Sequence, residues 1–198
     1  MKKILLSLFI LISISTYAQD LSYGVVLGTN WYDLDATGGA INTGEEPKAS
    51  INVGGFADYK ISESFGVKGD LTFNSIKEGY SLKGFNYRFV NKLNTLQFIP
   101  KIKFDTNKEY NKGFYITAGP RMSIVLSSKD EDGNDTSGFY KGTFFGGQFG
   151  FGVTFFKHFS AELIGDISLS SSLDSETELK TAGAYFNLNI NLESLINK

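Results

Sequence analysis

Residues 64–75 alternate without a break. Phe65, Val67, Gly69, Leu71 and Phe73 fall on one parity, and Ser64, Gly66, Lys68, Asp70, Thr72 and Asn74 on the other. Successive side chains of a strand point to opposite sides, so this segment as a strand has one apolar and one charged face. Seven further segments repeat the pattern, at about residues 22–32, 50–59, 93–104, 113–126, 140–156, 159–170 and 181–192. A wall with lipid outside and a polar lumen inside requires that alternation. The fold class it predicts is all-β, an eight-stranded antiparallel up-and-down transmembrane β-barrel.

The connections support the same reading. Segments 33–49, 76–92, 127–139 and 171–180 are long and polar, whereas the links at 60–63 and 157–158 are short and that at 105–112 is intermediate. Short turns at one end and long loops at the other are characteristic of outer-membrane barrels. With an even strand number both termini are expected in the periplasm. Aromatics sort to the ends of the apolar face: Tyr59, Phe65, Phe104, Phe114, Phe155 and Phe159 at one rim, Trp31 and Phe73 at the other. Phe65 to Phe73 spans about 20 Å of height in a tilted strand rising roughly 3.3 Å per residue. A soluble sandwich has no reason to sort its aromatics this way.

The amino terminus reads as an export signal. Lys2 and Lys3 precede an almost unbroken apolar run over residues 4–14, and Thr16-Tyr17-Ala18 offers a small-x-small cleavage site. The run is shorter than the roughly 20 residues of a spanning helix, and no later run approaches that length. The expected division is a signal peptide over 1–18 and an outer-membrane β-barrel domain over 19–198. The expected location is the outer membrane of a Gram-negative bacterium.

The chain has no cysteine, hence no disulfide, thiolate nucleophile or thiolate metal ligand. Its formal charge is −2, becoming −4 once Lys2 and Lys3 are removed, so no basic excess supports nucleic-acid binding. High glycine (22 residues) and aromatic content (15%) suit a curved, closed sheet with an interfacial belt.

Asp58, Lys68, Asp70, Lys101, Lys103, Arg121, Glu162 and Asp166 all fall on inward positions. The lumen of an eight-stranded barrel is only wide enough to be filled by side chains, so these charges are expected to pair as a satisfied polar network. The alternative is a narrow path or small-ligand site lined by Lys101, Lys103 and Arg121. Phe56, Tyr115, Phe144 and Tyr185 add bulk, while Gly24, Gly54, Gly66, Gly146, Gly150 and Gly152 open space on the same face.

No catalytic, cofactor or metal site is expected. His158, Ser160 and Glu162 share the inward parity, but a triad needs the histidine between nucleophile and carboxylate. Here Ser160 is in the middle, and His158 lies about 13 Å from Glu162 along an extended strand at roughly 3.3 Å per residue. The run Asp130-Glu131-Asp132-Gly133-Asn134-Asp135 resembles a calcium loop. It has Asp135 where the turn glycine belongs and Lys141 where the twelfth-position glutamate belongs.

Pro100 and Pro120 break a local rule, since proline cannot donate to a ladder and a closed barrel has no edge strand. Each is expected to mark a bulge or a ladder gap. Leu96-Gln97-Phe98-Ile99-Pro100-Lys101-Ile102-Lys103 followed by Tyr115-Ile116-Thr117-Ala118-Gly119-Pro120 resembles the paired segments of PorT-like outer-membrane β-barrel proteins of Bacteroidetes-type bacteria, and the likeness continues through Gly150-Phe151-Gly152-Val153. Such barrels often finish on an aromatic residue, whereas this chain finishes Leu192-Glu193-Ser194-Leu195-Ile196-Asn197-Lys198.

The resemblance implies a small non-enzymatic barrel with a structural or interaction role. Its partners would be outer-membrane lipid and other envelope or secretion proteins. The alternatives are a narrow transport or small-ligand-binding barrel, or a component of a protein secretion system. A soluble lipocalin-like carrier is disfavoured, because it would enclose its ligand with the charged face.

Overall fold

The computed structural model describes residues 20–37, 41–42, 49–82, 88–156, 158–174 and 178–196. The expected signal peptide lies outside the described residues. Eight long strands make the wall: β1 (Leu21–Thr37), β3 (Ser50–Lys60), β4 (Phe65–Leu82), β5 (Arg88–Asp105), β6 (Gly113–Lys129), β7 (Thr143–Phe155), β8 (Phe159–Ser168) and β9 (Glu178–Asn191). A two-residue strand, β2 (Ile41–Asn42), pairs with the tip of β4 at Leu82 and Ser81. Each long strand pairs antiparallel with its neighbours in sequence, and β1 pairs with β9 from Gly24↔Asn191 to Thr37↔Glu178. That last pairing closes an eight-stranded up-and-down barrel, so no edge is left to template association.

The turns at 61–64 and 106–112 lie at one end of the barrel with Phe156 and His158, together with both ends of the described chain. Leu192 donates its N–H to the Tyr23 carbonyl there, and a single helical turn follows at Glu193–Ile196. The long connections lie at the opposite end.

Alternation in sequence becomes an inside and an outside. Leu71, Phe98, Ile102, Phe149, Leu163 and Phe186 are all about half exposed or more, forming an apolar outer band, while Asn74, Thr95, Gln97, Ser123 and Glu162 are buried in the lumen. At the short-turn rim Phe155 stacks on Phe159, with ring centroids 6.0 Å apart. Aromatic rings at that level suit the boundary between lipid and water.

Strand ends depart from expectation at the long-loop end. Segment 76–92 is largely strand, because β4 runs to Leu82 and β5 begins at Arg88. The wall likewise takes residues 33–37 into β1, 127–129 into β6 and 178–180 into β9. Above the lipid band both faces of a strand meet polar surroundings and the alternation fades. The backbone ladder continues all the same, since its hydrogen bonds need no apolar face. Conversely β7 starts at Thr143 instead of near Tyr140, β8 stops at Ser168 and β9 at Asn191. Tyr140 sits just outside the wall, in an isolated bridge to Leu173.

The prolines make one shared ladder gap. Between β5 and β6 the register holds at Phe98↔Met122 and resumes at Ile102↔Ala118, leaving Pro100 and Pro120 face to face between them. The bulge in this ladder lies elsewhere, between Asn94↔Ser127 and Thr95↔Val125, with Leu126 as the extra residue.

Candidate functional site: the barrel lumen

All eight inward charges reach the lumen, and none is more than 3% exposed. They come from β3, β4, β5, β6 and β8, and the register brings them into contact. Lys68 Nζ lies 2.6 Å from Glu162 Oε1 across the lumen and 3.5 Å from Asp70 Oδ1. Lys101 Nζ donates to Asp70 Oδ2 at 2.6 Å, so Glu162, Lys68, Asp70 and Lys101 form a continuous chain. Nearer the short-turn end, Lys103 Nζ is 2.8 Å from Asp58 Oδ2. At mid-height Arg121 Nε donates to Asp166 Oδ2 at 2.7 Å. A buried ion costs several kcal/mol unless paired and hydrogen-bonded, and further bonds come from neutral neighbours. Tyr115 donates to Glu162 at 2.9 Å, Gln148 Nε2 donates to Asp166 at 3.0 Å, and the Arg121 guanidinium also bonds Ser123.

The inward glycines do not leave the lumen open. Gly66, Gly146 and Gly152 make room for Tyr110, Arg121 and Tyr115, while Gly24 and Gly54 sit against the backbone of Ile190 and of Leu71. The Tyr115 ring occupies the place of a Cβ at Gly152, and a Cβ at Gly146 would lie 2.8 Å from Arg121 Cζ. Aromatic rings also cover the cations. Lys103 lies 4.5 Å from the centroids of both Tyr110 and Tyr115, Lys68 5.0 Å from Phe56, and Arg121 Cζ 5.4 Å from Phe144.

Each end of the lumen has its own closure. At the short-turn end Tyr110 folds back from turn 106–112 and donates its hydroxyl to Asp58, while Asn111 contacts Lys103 and Ser22. Burial and the Asp58 carboxylate push the Tyr110 hydroxyl well above its ordinary pKa, so it remains a donor. The cavity left at this mouth is about 20 Å³, lined by Asp58, Lys103, Tyr115, His158 and Asn189 among others. That is room for about one water molecule.

Toward the long-loop end, Tyr32, Ile76, Leu93, Tyr140, Phe144, Ile164 and Tyr185 pack into an apolar plug. The Tyr32 and Tyr185 hydroxyls bond each other in its middle. Tyr140, carried in by the β6–β7 connection, donates to Glu78 Oε2 at 2.6 Å and accepts from Asn91 Nδ2 at 3.1 Å.

Sequence reasoning missed Glu78, Asp105, Tyr32 and Tyr140, all buried in this interior. Glu78 fell in a segment read as loop and Tyr140 at the first residue of one read as strand. The plug did leave a trace in the sequence: Ile76, Leu93, Phe144 and Ile164 are apolar residues on inward parity, as are Val26 and Ile99 elsewhere in the lumen.

His158, Ser160 and Glu162 are each bonded to groups outside the trio. His158 Nδ1 is 2.7 Å from Ser194 Oγ, Ser160 Oγ accepts from Asn189 Nδ2 at 3.1 Å, and Glu162 is held by Lys68 and Tyr115. In the acidic loop, Asp130 accepts from both the backbone and side-chain nitrogens of Asn134, and Asp135 accepts from the Ser137 N–H. Those bonds hold both carboxyls below the usual aspartate range. Among the described residues no group of three or more His, Cys, Asp or Glu converges as a metal site.

A closed antiparallel barrel with a lipid-facing apolar band, interfacial aromatics and a charged lumen is an outer-membrane barrel. The sequence profile of the family described as outer membrane protein beta-barrel domain matches residues 17–174, and the chain belongs to that family. Its location is accordingly the outer membrane of a Gram-negative envelope.

Two solved structures share the fold. Neisserial surface protein A aligns with a TM-score of 0.56 at 12% identity, covering 85% of this chain and 96% of that one. Ail, the attachment invasion locus protein of Yersinia pestis, solved in complex with the heparin analogue sucrose octasulfate, aligns with a TM-score of 0.52 at 12% identity, covering 87% and 99%. No curated protein matches the chain in sequence.

Proposed function

We propose that this protein is a non-enzymatic interaction barrel. Its working surface is the long-loop end, displayed outside the cell, with both termini and the short turns in the periplasm. The observation that carries this reading is the filled lumen. Paired charges occupy its middle, Tyr110 covers one mouth and the Tyr32–Tyr185–Tyr140 plug covers the other. The wall, by contrast, rises past the lipid band as a paired hairpin, with Lys77↔Lys92 through Ser81↔Arg88 all in register. A rigid projecting sheet is a platform for contact, and a plugged lumen is a poor conduit.

The lumen charge network acts in this reading as an internal brace that fixes the positions of the strands. The paired proline segments support a PorT-like kinship, and through it a partner among envelope or secretion proteins; fold alone does not transfer that role.

Two measurements test the proposal. In planar bilayers the purified barrel shows no large steady current, and reproducible porin-sized conductance would promote transport through the lumen. Because the chain has no cysteine, single Asn134→Cys and Lys108→Cys variants report orientation cleanly. A membrane-impermeant maleimide labels the first on whole cells and leaves the second unlabelled. The reverse pattern overturns the orientation.

A further inference from the structure

Three lysines stand directly opposite one another on adjacent strands. Lys77 of β4 is the Cα partner of Lys92 of β5, and Lys92 is the partner of Lys129 of β6. All three are exposed. They share the outward face with Phe73, Leu96 and Ile124 below them. The bulge at Leu126 is what brings the third lysine into line. Without the one-residue shift between Asn94 and Thr95, Lys92 would oppose Ser128, which instead points inward and is buried. Bulges re-aim side chains in this way and are features of a fold, not defects.

Side chains opposite each other on a sheet have Cβ atoms about 4.5–5.5 Å apart, and like charges so placed repel. Among the described residues Lys77 and Lys92 form no ion pair, while Asp135, which faces Lys129 across an isolated bridge and accepts from the Ser137 N–H, offsets part of the charge of Lys129. The row therefore concentrates positive charge on one side of the wall, which Asp135 offsets in part at Lys129. An anion is the complement it lacks.

Its height says which anion. Lys77 lies four residues beyond Phe73 and Lys92 four beyond Leu96, or about 10 Å higher in a tilted strand, and Val90, farther along the same parity of β5, is buried. Between the two levels runs a neutral polar row, buried Ser75 with half-buried Asn94 and Ser127, in which Asn94 Nδ2 donates to Ser127 Oγ at 3.0 Å. The outer face thus passes from apolar to hydroxyl and amide to cationic over the depth at which a leaflet passes from acyl chain to charged headgroup. Long lysine side chains can reach back down toward that level.

We propose that Lys77, Lys92 and Lys129 bind the phosphate groups of a phosphorylated glycolipid in the outer leaflet, clamping the barrel to its lipid on the β4–β6 side. The placement in the outer leaflet rests on the orientation proposed above; the phosphate recognition does not.

The test is native mass spectrometry of the mature barrel in neutral detergent, titrated with bisphosphorylated lipid A. A lysine near an anionic surface contributes about five-fold in affinity, so the triple K77Q/K92Q/K129Q variant is expected to bind on the order of a hundredfold more weakly. The triple Lys→Arg variant and K108Q, at the short-turn end, bind like wild type. Dephosphorylated lipid A binds wild type as weakly as lipid A binds the Gln variant, a comparison that needs no variant to fold.

Equal affinity of wild type and the Gln variant for lipid A overturns the proposal. So does displacement of the lipid by equimolar inorganic phosphate or by heparin, which would mark the row as a site for free phosphate or for a sulfated glycan. Binding in detergent is indifferent to orientation, so a failed maleimide experiment and a failed titration are separable.

Discussion

Pro100 faces Pro120 across β5 and β6, and pairing is interrupted around them between Phe98↔Met122 and Ile102↔Ala118. In an antiparallel pair a residue's N–H and C=O point to the same neighbour. The outer partners, Gly69↔Pro100 and Pro120↔Gly147, remain in register without a proline N–H. The two missing donors are therefore aimed at each other. One paired substitution, and not two separate defects, accounts for the gap in the wall.

Restoring those donors closes the gap. Pro100→Ala and Pro120→Ala each supply one N–H to the facing carbonyl, worth about 0.5–1.5 kcal/mol. The double variant is expected to unfold more slowly in urea, with slow amide exchange at the two N–H groups introduced at positions 100 and 120. Rapid exchange at both would contradict the geometry.

Breaking the Arg121–Asp166 pair is expected to cost more than removing it. Arg121→Met strands a buried carboxylate at a cost of about 3–5 kcal/mol, whereas the Arg121→Met/Asp166→Leu double variant recovers much of the loss. A double-mutant cycle of folding free energies in lipid vesicles measures the coupling. Strictly additive losses would mean that the two side chains act independently.

Charge on the lipid face is expected to be poorly tolerated. Leu71 is 51% exposed on the outer band, and Leu71→Arg should destabilise the barrel by about 2–4 kcal/mol. Asp132→Arg, in the long β6–β7 connection, should leave vesicle folding yields unchanged. Comparable yields for the two variants would count against the membrane assignment.

Tyr140→Phe leaves the ring in the plug and removes the hydroxyl that serves Glu78 and Asn91. An unsatisfied buried acceptor costs about 1–3 kcal/mol, so the variant loses stability while its bilayer current stays near zero, because Tyr32 and Tyr185 still close the lumen. A steady current in Tyr140→Phe alone would make Tyr140 the sole gate.

The acidic loop carries a pH-dependent clasp. Hydrogen bonds from Asn134 hold the Asp130 carboxyl below its ordinary pKa, and those from Ser137 do the same for Asp135. A depressed carboxylate pKa means a contribution present above the unfolded value and lost as pH falls through the folded one. The Asn134 and Ser137 amide resonances should therefore move only below the usual aspartate range. Both lie in solvent, so the barrel itself should stay folded across that transition, and titration at ordinary aspartate pH would show the clasp to be open.

Alternation alone determined the wall: eight membrane-crossing segments, the side of each that meets lipid, and the eight charges that face the lumen, from Asp58 to Asp166. Period two is a local property of the chain, and lipid enforces it wherever the outer face must be apolar. What alternation does not encode is which inward residues meet, since Lys68 and Glu162 are 94 positions apart and only closure of β1 on β9 sets the lumen in which they pair.

The same limit hid the plug, because Ile76 of β4 meets Phe144 and Ile164 of β7 and β8 only across the closed lumen. It also hid the lysine row. Parity predicts Lys129 on the inner face, and a single bulged residue, Leu126, turns it out beside Lys92. Register across strands depends on hydrogen-bond geometry summed along the whole ladder, so one extra residue reverses every side chain beyond it.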